Sequence, residues 1–69
     1  MEWRELSSSV IARVAYDEAS HTLLVEFRSG SFYDYFDVPE RVYRELIEAP
    51  SAGNYFAENI RDVYRFTRT

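Results

Sequence analysis

The sequence predicts an α+β domain: a small antiparallel sheet with a helical hairpin packed on one face. Three observations carry this. Residues 10–36 alternate apolar and polar positions in short runs separated by turn residues, which is the period of strands. Residues 38–47 change to helical spacing, and Ser51 then opens a second helical stretch. Alternation returns in the last nine residues, RDVYRFTRT.

The first strand is read in SSSVIARVAY, where Val10, Ala12, Val14 and Tyr16 alternate with Ile11, Arg13 and Ala15. Asp17 to Ser20 makes a turn. In HTLLVEFR, Leu23, Val25 and Phe27 alternate with Leu24, Glu26 and Arg28, and SFYDYF is a third strand after the Ser29-Gly30 turn. Short strands joined by tight turns make a three-stranded meander.

The second turn sets the register. A two-residue Ser29-Gly30 loop would place Asp34 on the core face opposite Val25, and an unpaired buried carboxylate is costly. A three-residue loop, Arg28-Ser29-Gly30, puts glycine in the left-handed position of a bulged turn. Val25 then faces Tyr33, Leu23 faces Tyr35, and Asp34 joins Glu26 and Arg28 on the other face. The second register is preferred, because a one-residue slip flips every side chain. It makes Tyr33 and Tyr35 core or core-edge residues.

In DVPERVYRELIEA, Asp37 and Glu40 have capping-box spacing, Pro39 sits in the first turn, and Val38 can staple against Val42. Val42, Tyr43, Leu46 and Ile47 share one face. Ala49-Pro50 ends this helix, since a residue before proline is pushed out of the helical region. Ser51 caps a shorter helix through NYFAENI, with Tyr55, Phe56 and Ile60 inward; Gly53 weakens it or permits close packing. DVYRFTR is a fourth strand or an extended tail, with Tyr64 and Phe66 on one side.

Sixty-nine residues make a single domain spanning 1–69. A core this small gains from large side chains, so an aromatic content of 17% is expected on stability grounds. With no cysteine, disulfides cannot supplement it. No apolar run reaches the ~18 residues of a membrane span, and MEWRELSSS lacks the apolar centre of a signal peptide. The expectation is a cytoplasmic protein with no membrane association. The net charge of −4 argues against nonspecific polyanion binding, but it is unevenly spread: residues 1–60 carry −6 and residues 61–69 carry +2. Every basic residue is arginine. That excludes lysine chemistry and leaves bidentate pairing with phosphate or carboxylate.

Little points to catalysis. His21 is the only histidine and lies in a predicted turn, where it reads as exposed. Without cysteine or a second histidine there is no ligand set for zinc, and no other metal or cofactor is expected. Ser7-Ser8-Ser9 reads as strand entry or backbone capping, with a polar binding edge as the alternative. No glycine-rich phosphate loop exists, and an enzyme is not expected.

Two constellations remain. On the sheet face opposite the helices, Phe32, Phe36, Leu24 and Ile11 lie with Asp34, Glu26, Arg28 and Arg13. Exposed aromatics there can stack bases or meet a protein; alternatively Trp3 and the N-terminal segment fold over them. In the tail, Arg61, Arg65 and Arg68 interleave with Tyr64 and Phe66, a pattern suited to single-stranded nucleic acid. The competing reading is an edge strand whose arginines serve solubility.

Taken together, SSSVIARVAYD, LLVEF, Ser29-Gly30, Tyr33-Asp34-Tyr35, Val38-Pro39, Val42-Tyr43, Ala49-Pro50-Ser51 with Gly53, Tyr55-Phe56, Ile60 and Tyr64 resemble the KTSC domain. That bacterial domain is named for its place at the C-terminus of some lysyl-tRNA synthetases and also occurs alone. The resemblance covers nearly the whole chain. It implies a module of unestablished function, for which RNA binding is a suggestion drawn from the synthetase association. Tyr33 and Tyr35 are the family's hallmark pair, and Val38, Pro39, Ser51 and Gly53 belong to its motif. The expected function is a non-enzymatic binding module for RNA (tRNA or single-stranded), with Arg61, Arg65 and Arg68 on phosphate and Phe32 and Phe36 on bases. The alternative is a protein-interaction or homodimerisation module built on the aromatic sheet face.

Overall fold

The computed structural model describes every residue from Met1 to Thr69. Five strands, β1 (Trp3–Glu5), β2 (Ile11–Asp17), β3 (Thr22–Phe27), β4 (Phe32–Tyr35) and β5 (Phe66–Arg68), form one antiparallel sheet in sequence order. The helices α1 (Glu40–Glu48) and α2 (Ala52–Asn59) fall between β4 and β5 and cover one face. The expected meander and hairpin are present, and the C-terminal segment is a strand. The sequence reading missed β1, a three-residue edge strand with too few residues to show alternation.

The β3–β4 register is the one with the longer loop. Leu23 pairs with Tyr35, Val25 with Tyr33, and Leu24 with Asp34. Phe27 N–H donates to the Ser31 carbonyl, and Gly30 N–H to the Phe27 carbonyl. Gly30 has φ +96°, a backbone region open to glycine at little cost.

Two placements on the opposite face are corrected. A β-bulge between Ile11 and Arg13 inserts Ala12 as an extra residue and shifts the alternation. Ile11 therefore joins Val14, Leu23, Val25 and Tyr35 in the core beneath the helices. Arg28 turns back over the loop, its guanidinium donating to the Leu6 and Ser8 carbonyls at 2.9 Å each.

The start of α1 also differs from expectation. Asp37 makes no capping box: its backbone is left-handed (φ +58°), its carboxylate accepts from Arg65 at 3.2 Å, and Pro39 precedes the helix without a side-chain cap. Glu40 pairs instead with Arg44 one turn on. Val38 and Val42 are both buried in the core. Ser51 does cap α2, its hydroxyl accepting from the Asn54 N–H at 3.2 Å. Leu46, Phe56 and Ile60 of the helical layer close the core.

Three tyrosines fasten the helical layer. Tyr16 stacks on Tyr43 with ring centroids 5.3 Å apart and donates its hydroxyl to the Val38 carbonyl. Tyr55 donates to the Glu45 carboxylate at 2.5 Å, joining α2 to α1. That bond, with Arg41 nearby, holds the Glu45 carboxyl below its ordinary range. Burial, then the bond to Glu45, pushes Tyr55 up to about 12.

Candidate functional site

Along the helical face, an open groove of about 970 Å³ runs between α2 and the β3–β4 hairpin. Its floor is aromatic. Phe27, Tyr33, Tyr35, Phe56 and Phe66 form one continuous cluster, each ring within about 5.4–6.2 Å of its neighbours. Alternation along β4 and β5 places the tyrosines and Phe66 on this face, since Tyr35 pairs with Phe66 and Tyr33 with Arg68. Phe66 is 54% exposed, the most accessible ring of the cluster.

The two ends are polar. At one, the Ser7–Ser9 segment and Arg28 meet the start of α2. Ser8 Oγ accepts from the Val10 and Ile11 N–H groups at 3.1 Å, the capping role expected of the serine run. A β-carbon on Gly53 would sit 3.7 Å from Ser8 Oγ and a Val10 methyl, an ordinary contact, so packing does not demand glycine there. At the other end stand Arg61 and Asp62. Arg68 lies 6.0 Å over the Tyr33 ring and donates to Ser31 Oγ at 3.1 Å.

The groove's charge runs against that of the chain. Of 12 acidic residues, only Asp62 lines it, whereas Arg28 and Arg61 do and Arg68 borders it. Arg28 and Arg68 have no carboxylate partner, and Arg61 has only a loose one, Asp62 at 3.9 Å. The Tyr35 side chain is 3% exposed, and its burial, then the neighbouring Tyr33, pushes its phenol up to about 12 against an opposing pull from Arg61. No three His, Cys, Asp or Glu side chains come together in a way that would hold a metal ion.

The five residues singled out for base and phosphate contact do not share one surface. Arg61 and Arg68 belong to the groove. Phe32, Phe36 and Arg65 lie across the sheet, with Arg65 5.6 Å over the Phe36 ring. There Trp3, carried by β1, meets Phe32 edge-on at 6.2 Å, and Arg13 caps the indole at 4.7 Å. Ala15, opposite Trp3 in the β1–β2 pair, is fully buried although it stands outside the core cluster. The N-terminal segment thus covers part of that face. The motif residues Tyr33, Tyr35, Ser51 and Gly53 line the groove, while Val38 is core and Pro39 immediately precedes α1. Sequence reasoning missed Phe27 and Arg28 as groove residues, and it named Phe66 only as an aromatic of the C-terminal tail. Alternation put Phe27 on this face, but only the fold brings α2 alongside it.

The KTSC domain family profile matches residues 7–64. The chain belongs to the KTSC domain family. Its likeness to other KTSC proteins extends from sequence to backbone. A crystal structure of a KTSC domain protein from Yersinia pestis superposes with a TM-score of 0.95 at 29% identity, covering 99% of this chain and 96% of that one. A lysine–tRNA ligase of Nostoc punctiforme is 43% identical over 58 residues, which are 84% of this chain and 10% of the ligase. This KTSC chain therefore spans about a tenth of the length of that relative. A protein of Tsukamurella paurometabola is 32% identical over 60 residues and is matched over 90% of its length, so the domain also occurs by itself.

Proposed function

We propose that this KTSC domain is a non-enzymatic, cytoplasmic binding module whose ligand is single-stranded RNA, seated in the groove rather than on the opposite sheet face. One observation carries the reading. In a chain of net charge −4, the groove combines an aromatic floor, with Phe66 exposed and Phe27 and Tyr33 half-buried, with arginines that lack carboxylate partners or hold them loosely. Stacked rings flanked by guanidinium groups suit a strand of bases and phosphates. The occurrence of related domains within lysine–tRNA ligases supports an RNA ligand over a peptide. Arg61 and Arg68 act on phosphate, and Phe66 with Tyr33 takes the stacking role first expected of Phe32 and Phe36.

The test is binding of single-stranded RNA and tRNA across a salt series. Counterion release makes log affinity fall with log salt by roughly 0.7 per phosphate contact to a single strand. Reversing both Arg61 and Arg68 to glutamate should flatten that slope by about 1.4, and Arg65→Glu should leave it unchanged. Absence of binding at low salt refutes the proposal, as does equal sensitivity to all three arginines.

A further inference from the structure

The first two N–H groups of α2, those of Ala52 and Gly53, have no partner within the protein. They open at the serine-rich end of the groove, beside Ser8. Ser8 Oγ already accepts two backbone N–H groups, so its own proton is free to donate outward. Arg28, bonded to the Ser8 carbonyl and paired with no carboxylate, brings positive charge to the same end.

A second feature points to a ligand independently. Tyr35 is a buried residue, 3% exposed, yet its hydroxyl has no hydrogen-bond partner within the protein, unlike those of Tyr16 and Tyr55. No fully enclosed side-chain oxygen or nitrogen lacks a partner, so the Tyr35 hydroxyl keeps some access to solvent; the residue lines the groove, and Tyr33, Arg61 and Asp62 are the charged or titratable groups that act on its phenol. A hydroxyl that keeps solvent access within a groove, with no partner in the protein, can exchange water for a ligand's acceptor.

We infer that the groove is a nucleotide seat with two recognition points. The N–H groups of Ala52 and Gly53, with the Ser8 hydroxyl and Arg28, hold a phosphate, and the Tyr35 hydroxyl donates to an acceptor on a base stacked against Phe66. A helix start presents N–H donors and the positive end of its dipole, which is the chemistry a phosphate oxygen needs. From Gly53 the helix rises about 9 Å to its end at Asn59, and Arg61 follows two residues on, leaving a second phosphate within its reach further along the strand. The inference rests on the single-stranded RNA reading for the identity of the ligand, while the phosphate seat stands on its own geometry.

Two substitutions isolate the points. Ala52→Pro removes one N–H at the first helical position, where proline is tolerated, and the preceding Ser51 already has the extended backbone that proline requires (φ −131°, ψ 102°). Tyr35→Phe removes only the hydroxyl. Amide spectra of the ¹⁵N-labelled domain are followed during titration with inorganic phosphate alone and with a single-stranded oligouridylate. Both probes should move the Ala52, Gly53 and Ser8 amides. Ala52→Pro should abolish the phosphate response and weaken oligouridylate binding about threefold to tenfold. Tyr35→Phe should weaken oligouridylate binding by a similar factor and leave the phosphate response intact.

If oligouridylate binds through Arg61 and Arg68 while these amides stay still and both variants bind as wild type, the seat is refuted and the RNA reading survives. A phosphate response without any oligouridylate binding refutes the RNA reading and leaves an anion seat. No response to either probe overturns both. Should Ala52→Pro fail to fold, the wild-type phosphate titration decides by itself.

Discussion

Both faces of the sheet carry aromatic rings, five in the groove cluster and three on the opposite face, but use them differently. On the helical side, Phe27, Tyr33, Tyr35, Phe56 and Phe66 run from the buried core out to solvent as one connected cluster, bordered by arginines without tight partners. On the other side, Trp3, Phe32 and Phe36 are already engaged: Trp3 lies on Phe32, Arg13 caps Trp3 and bonds Glu26, and Arg65 covers Phe36 while pairing with Asp37. Asp34 and Glu26 add acidity to that second face. A ring covered by a cation that is itself neutralised by a carboxylate has little left to offer a polyanion. The difference teaches that exposed aromatic content does not mark a nucleic-acid surface; the state of the neighbouring cations does.

The largest effect that can break this comparison is on stability. Phe56 joins α2 to the groove floor through Phe27 and Tyr35, and it is 4% exposed. Phe56→Ala should cost about 3–5 kcal/mol, much of the roughly 3–10 kcal/mol available to a chain this size, as read by denaturant unfolding. Next comes affinity. The Arg61→Glu, Arg68→Glu double variant should bind single-stranded RNA at least about 100-fold more weakly, since charge-assisted hydrogen bonds contribute about 1.5–3 kcal/mol each. Arg65→Glu should change it by less than about threefold, in line with the small effects of exposed charges. A comparable loss from both would merge the two faces.

How much of this was legible in the sequence can be judged from particular residues. Gly30 and Asp34 fixed the β3–β4 register, because only the longer loop keeps a carboxylate out of the core. Ser51 announced its cap, and Ala49-Pro50 the end of α1. The bulge at Ala12 was not readable: every residue in IARV is compatible with unbroken alternation, and the choice is made by Ile11 filling space beneath α2. Asp37 carried a capping signal that lost to a left-handed turn and to Arg65, a residue 28 positions away. The candidate site was half legible for the same reason. Arg61 and Arg68 could be picked from composition, but alternation between Arg65 and Arg68 along an edge strand sends them to opposite faces. The groove itself requires α2, which starts at Ala52, to lie beside a hairpin that ends at Tyr35 with α1 in between, which local patterns do not encode.

Smaller effects sharpen the contrast. Trp3→Ala should cost about 1–2 kcal/mol through uncovering Ala15 and Phe32, while leaving RNA affinity unchanged; a drop in affinity would restore the far face as a site. Alkaline pH probes the groove floor. Because the Tyr35 phenol is raised to about 12 in the fold and sits near 10 when unfolded, the unfolded chain releases its proton first. The Tyr35 contribution is therefore complete below pH 10 and declines as pH rises from 10 through 12. Tyr35→Phe should remove part of that decline in thermal melts, with Tyr55 and Tyr16, both also raised by burial, supplying the remainder. Least of all, a double-mutant cycle on the exposed Arg65–Asp37 pair should give a coupling below about 0.5 kcal/mol.

The chain supplies its own reporter for the central claim. Trp3 is the only tryptophan, and it lies on the face opposite the groove. Tryptophan fluorescence is measured during titration with single-stranded RNA, first in the wild-type domain and then in Trp3→Phe, Phe66→Trp, which moves the indole to an exposed groove position. Binding in the groove predicts unchanged emission from Trp3 and strong quenching of the relocated indole. Quenching of Trp3 with a silent indole at position 66 would contradict the account and place the ligand on the other face.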